Sequence, residues 1–131
     1  MAIWKPLQYV SSSDRHSIDD WRKGLPLGPP RVYLDRFLST MVQRERWEWP
    51  ELRLLRGHLA GLSELRWTCD SVPYRIIGYK TREYEYLMLI GCTHNKKKYT
   101  PSDALDTAHR RREAIRKGEA SSDEYQLLSY K

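Results

Sequence analysis

Six side chains in the second half of the chain carry chemistry suited to a phosphate ester: Arg66, Arg75, His94, Lys97, Lys98 and Tyr99. Arginine grips a phosphate through a planar fork of donors. Histidine, tyrosine, or a lysine whose pKa is lowered by neighbouring cations can move a proton near neutral pH. Cutting RNA at one phosphate needs a base for the ribose 2′-OH proton, cations for the pentacoordinate transition state, and an acid for the leaving 5′ oxygen. These residues can fill all three roles, with acid and base left open among His94, Tyr99 and one of Lys96, Lys97 and Lys98. Tyr79, Tyr84, Tyr86 and Trp67 offer flat rings for a base, or else pack in the core. Arg66 has a second reading as the ion-pair partner of Glu64 or Glu85.

The charge distribution points the same way. The chain has a net charge of +6 over 131 residues. Between His94 and Lys117 stand eight Lys or Arg against three acids, a local excess of +5. Such a footprint suits a polyanion or an acidic protein, although a charge run can also be only a solvated helix face. Within it, Lys96, Arg111, Arg112, Arg116 and Lys117 are candidate RNA contacts. Other chemistries find little support. There is no Gly-rich phosphate loop and no nucleophile elbow for a serine triad. His16, His58, His94 and His109 lack a metal spacing, and Cys69 with Cys92 and His94 makes only half of a zinc set, so no metal or other cofactor is expected. Two cysteines in strand-like runs read as buried, reduced thiols, as in a cytoplasmic protein. No apolar run approaches about 18 residues and the first residues lack an apolar h-region, so neither a membrane span nor a signal peptide is expected.

The elements that must position these residues follow from periodicity. A short strand is expected over 4–10, followed by the turn cluster Ser11-Ser12-Ser13-Asp14. A short helix, N-capped by Ser17, then runs to about residue 23. A longer helix over 30–45 carries Tyr33, Leu34, Phe37, Leu38, Met41 and Val42 on one apolar face, with Asp35 on the other. Three strands over 62–68, 74–80 and 84–93 are joined closely enough for antiparallel hairpins. Alternation puts Glu64 and Arg66 opposite Leu65 and Trp67, and puts Arg75, Ile77 and Tyr79 opposite Tyr74 and Ile76. Thr100-Pro101-Ser102-Asp103 reads as the start of a last helix that turns Ala104, Leu105, Ala108 and Ile115 inward and stops at Gly118. The expectation is one α+β domain over 1–118, two N-terminal helices and a C-terminal helix on a curled, mostly antiparallel sheet, with 119–131 a polar C-terminal tail.

Leu59-Ala60-Gly61-Leu62-Ser63-Glu64-Leu65-Arg66, then Tyr74-Arg75-Ile76-Ile77, then Lys96-Lys97-Lys98-Tyr99-Thr100-Pro101 with Ala104 and Ala108, resembles the RelE/ParE toxin superfamily. Within it the closest likeness is to the HigB-type, phage-derived toxins of type II toxin–antitoxin modules, over roughly residues 47–117. The resemblance implies a ribosome-dependent mRNA endonuclease that is held silent by a cognate helix-turn-helix antitoxin. It implies that Arg66 and Arg75 contact the phosphate and that Lys97 and Lys98 form the paired lysines, although three consecutive lysines leave that register open by one. Where that branch carries Phe just before the lysines, this chain has Thr93-His94-Asn95, which offers His94 for proton transfer instead. The ParE branch, which poisons DNA gyrase without cutting RNA, supplies the alternative of a non-catalytic binding module.

Overall fold

A computed structural model describes residues 2–127. It is α+β, as the periodicity predicts. In chain order come strand β1 (Lys5–Val10), helices α1 (Ser17–Gly24) and α2 (Pro29–Met41), and a three-residue strand β2 (Leu52–Leu54). A 3-10 turn (Gly57–Leu59) leads to the long strands β3 (Ser63–Cys69), β4 (Val72–Arg82) and β5 (Glu85–Asn95). Then follow β6 (Lys98–Thr100), α3 (Ala104–Arg116) and β7 (Ser121–Glu124). The sheet runs β2-β3-β4-β5-β1-β7, with β6 pairing the far end of β5. Every strand pairing is antiparallel except β1 with β5: the two helices carry the chain to the far edge of the sheet, and the β2–β5 meander then brings β5 back beside β1 running in the same direction.

Alternation along β3, β4 and β5 creates two apolar faces. On one, Leu65, Ile76, Tyr86 and Met88 meet Ile18 of α1 and Leu34, Leu38 and Met41 of α2. On the other, Ile77, Leu87, Leu89 and Cys92 meet Ala104 and Ala108 of α3. The sheet is therefore buried on both sides at its centre, which explains the nearly unbroken apolar run of β5. Gly91 makes one of these contacts possible. A Cβ there would collide with the Trp21 indole, which lies against β5. Gly91→Ala is expected to destabilise the fold by about 1–3 kcal/mol through overpacking, read as a lower denaturant midpoint at unchanged slope.

Several expectations need correction. The apolar stripe extends to Val42, but α2 ends at Met41, where other partners take its last carbonyls. Trp47 Nε1 donates to the Met41 carbonyl at 2.7 Å, and the backbone N–H groups of Ile3 and Trp4 both donate to that of Val42. Tyr33 is 44% exposed instead of inward, whereas Asp35 is buried and takes a bidentate grip from Arg22 at 2.9 and 2.7 Å. The N-cap of α1 is His16, and that of α3 is Asp103, with Thr100 still in β6. The expected polar tail is part of the sheet. β7 pairs antiparallel with β1, and Tyr125 is buried in the core beside Trp4. Residues 128–131 of that tail lie outside the described residues. Cys69 and Cys92 are buried free thiols.

Candidate functional site

The β3–β4 hairpin turns at Asp70-Ser71, and its register sets Arg66 directly opposite Arg75. Directly opposed residues share a sheet face. Here it is the α3 face, at the end of the sheet beyond Ala104. Glu64, two positions before Arg66, lies on the same face with its side chain 2% exposed. β2 adds Arg53 through the pairing Arg53↔Glu64, and the β5–β6 hairpin adds His94 and Tyr99, opposed in register with rings 4.6 Å apart.

One carboxylate organises this set. Glu64 Oε1 stands 3.4 Å from Arg53 Nη1, 3.7 Å from Arg66 Nε and 3.8 Å from Arg75 Nε. Glu64 Oε2 accepts a hydrogen bond from the Tyr99 hydroxyl at 2.8 Å. Three guanidiniums around one carboxylate leave the cluster cationic. The Nε–H donors of Arg66 and Arg75 are buried and make no hydrogen bond. Both Nε–H groups face Glu64 and are closed to solvent, so an anion bridging the pair would be met by the Nη groups of the guanidiniums.

The neighbouring groups are tuned by this surrounding. Burial, then the charge of Arg66, pulls the Arg75 pKa down, although an arginine stays charged at any ordinary pH. Burial, reinforced by the bond to Glu64, pushes the Tyr99 phenol well above its usual value, so Tyr99 is a proton donor and not a base. Burial pushes the Cys92 thiol, opposite Arg75, up to about 12, which removes it as a nucleophile. Burial first, and then the charge of Arg75, holds His94 below the usual 6.5. It is therefore a neutral imidazole at pH 7, able to accept a proton.

That shift has a sign that can be measured. A depressed folded pKa means the unfolded chain takes up a proton that the folded chain refuses. The contribution of His94 to stability is then complete above pH 6.5 and lost as pH falls toward and through its lower folded value. His94→Gln is expected to flatten the stability profile across that window. The same dependence of unfolding free energy on pH below 6.5 in His94→Gln and the wild type would show that His94 is not held neutral by the fold.

The remaining sequence candidates separate. Lys96 and Lys97 occupy the two central positions of the β5–β6 turn, both with positive φ (47° and 69°), and Lys98 starts β6. Since Lys98 opposes Asn95, alternation sends it to the face opposite Tyr99 and His94. Among the described residues no hydrogen bond or ion pair joins the three exposed lysines to the arginine pair. Arg112, expected as an RNA contact, is instead 4% exposed, donates to the Ala60 carbonyl at 2.9 Å and touches His109. Its position four residues after Ala108 carries it inward on the alanine stripe. Arg111 is tied down too, donating to the Leu89 carbonyl at 2.7 Å and lying over the Tyr9 ring. Arg116 and Lys117 remain exposed, Arg116 paired with Glu113. Arg75, expected as a phosphate contact, is 7% exposed and donates to the Tyr74 carbonyl, so it is structural as well.

Of the proposed stacking rings, Tyr86 is buried on Ser63, Trp67 stacks between Phe37 and Tyr74, and Tyr84 packs on Trp4. Arg53 is the member that sequence reasoning missed, while Glu64 entered it only as an ion-pair partner of Arg66, a pairing that is present at 3.7 Å. The signal for Glu64 was present, since alternation placed it beside Arg66. Among the described residues no group of three or more His, Cys, Asp or Glu side chains stands close enough to hold a metal ion, and no helix is long and apolar enough to cross a membrane. No family model, no curated protein and no solved structure matches the chain, so the resemblance to the RelE/ParE superfamily rests on the motifs quoted above.

Proposed function

We propose that the chain is an endoribonuclease, the toxin of a type II toxin–antitoxin module, which cuts mRNA on the cytoplasmic ribosome and is silenced by a cognate helix-turn-helix antitoxin. The observation that carries this reading is the register pair Arg66–Arg75, set beside a neutral His94 and a proton-donating Tyr99 on one sheet face. The arginines would clamp the scissile phosphate. His94 would take the 2′-OH proton as the 2′ oxygen bonds to phosphorus and the bond to the 5′ oxygen breaks, with that leaving oxygen taking its proton from water. No metal or other cofactor enters this scheme. Free RNA should be a poor substrate. The site has no strong general acid aimed outward, so positioning by the ribosome must supply much of the rate.

The test is induction of the protein in a bacterial host with transcript ends mapped by sequencing. In-frame cuts confined to translated regions support the reading. Growth arrest with intact mRNA overturns it and favours the second reading, a non-catalytic module of ParE type. One contact favours that alternative. The Tyr99 proton is already committed to Glu64, which leaves the site better equipped to hold an anion than to protonate a leaving group.

The lysine turn gives an independent check. A two-residue turn with positive φ at both positions is best served by Asn-Gly, and lysine there carries backbone strain. The double variant Lys96→Asn, Lys97→Gly is expected to gain about 1 kcal/mol of stability. If these lysines meet phosphates, it also loses RNA affinity, and the dependence of log K on log salt becomes shallower by about 1.4, the loss of two contacts to a single strand. A variant that binds RNA with unchanged salt dependence removes both lysines from the interface.

A further inference from the structure

Among the described residues Trp49 is the most exposed aromatic ring of the large hydrophobic side chains, at 66%, and it occupies no core. A loop tryptophan at the surface has no packing reason to be held in place, yet this one is held. The guanidinium of Arg66 lies over its ring, 4.5 Å from the centroid. The same ring forms one wall of a cleft of about 220 Å³ that Arg66 and Arg75 also line. Glu51 is in that cleft as well, but its carboxylate is committed to Arg44 at 2.7 Å, so the charge left to a ligand is cationic. On its other side Trp49 borders an open groove of about 830 Å³, along which Arg53 and Arg56 stand. The ring thus stands between the Arg66–Arg75 pair and a groove whose two arginines outweigh its one carboxylate, Glu48.

We infer that Trp49 is the stacking platform for one base of a single-stranded RNA whose adjoining phosphate lies on Arg66 and Arg75 and whose next nucleotides run along the Arg53–Arg56 groove. This rests on the ribonuclease reading above and names its substrate class and a positioning residue. The chemistry is that of single-strand recognition. An aromatic face accepts any base, cations follow the backbone, and a duplex could not present an unstacked base to the ring. The Arg66 guanidinium on the ring fixes the distance between base platform and phosphate clamp, so one nucleotide can engage both.

The experiment measures binding of the full chain to a single-stranded oligonucleotide with 2′-O-methyl riboses, which cannot be cut, and to a set of the same oligonucleotide with one abasic position moved along it. For the wild type, removing the base at one position should weaken binding about tenfold. Trp49→Ala should weaken binding to the intact oligonucleotide by a similar factor and be indifferent to the abasic site at that position, whereas Trp49→Phe should keep most of the affinity. A uniform loss for Trp49→Ala with no positional coupling would mean that the ring acts only by holding Arg66, and the platform is overturned. No loss at all overturns it too, and in both cases transcript cutting by the wild type leaves the ribonuclease reading standing. A wild type that neither binds the oligonucleotide nor cuts transcripts overturns both.

Discussion

Glu64→Ala is expected to lower the free energy of unfolding by about 3–5 kcal/mol, the largest stability effect of any single substitution at the site. The carboxylate is 2% exposed and faces three guanidiniums and a phenol. The contribution of Arg53 is small, since that side chain is 52% exposed and solvent screens the pair. The cost comes from the buried partners. Without Glu64, Arg66 and Arg75 stand opposed in register with no counter-charge, and the Tyr99 hydroxyl loses its acceptor. Glu64→Gln should cost less, because its amide oxygen still accepts from Tyr99 while the charge is gone. The variant has a second signature. With its carboxylate removed the cluster is more cationic, so phosphate or sulfate should raise the melting temperature of Glu64→Ala more than that of the wild type. Unfolding midpoints in urea, with and without phosphate, measure both effects. A variant as stable as the wild type would mean that the arginines find water or each other without penalty, and Glu64 would not be the organising charge.

How far the site could be read from the sequence follows from which residues alternation reaches. The faces of β3 were legible because it alternates apolar with polar residues, which put Glu64 and Arg66 on one side, and the period of two along β4 put Arg75 on one face with Ile77 and Tyr79. The hairpin connection then made Arg66 and Arg75 neighbours. Arg53 was not legible, because β2 is only three residues long and has no period of its own; its strand pairing is imposed by β3. β7 is the extreme case. Ser121, Ser122, Asp123 and Glu124 are all exposed, so no side chain announces the strand, and it exists through backbone bonds to β1 with Tyr125 as anchor. Arg112 misled for a different reason. Its charge suggested the surface, while its place on the Ala104–Ala108 stripe carried it into the interior, where one Nη donates to the Ala60 carbonyl. Trp49 lies outside every periodic element, and only its contact with Arg66 separates it from an ordinary loop residue.

Arg66→Ala is expected to reduce mRNA cleavage by about 10²–10³-fold, the largest effect on activity, while lowering stability by no more than about 1 kcal/mol. Arg75→Ala should remove a similar share of activity but also cost about 1–3 kcal/mol of stability, because its guanidinium is buried and bonded to the Tyr74 carbonyl. The contrast separates the two roles. Arg66 is the more exposed of the pair, with 24% of its side chain open against 8% for Arg75, and can reach a ligand without unfolding anything. If the two act as one clamp, the double variant should lose far less than the product of the single losses, since removing either already destroys the bridge. Lysine at position 66 should restore little, because it offers a point charge where the phosphate is held by a fork. Transcript-end sequencing of equal amounts of folded protein measures the cuts. Arg66→Ala that is folded and still cuts at wild-type frequency would remove the pair from the chemistry and leave it a structural ion cluster around Glu64.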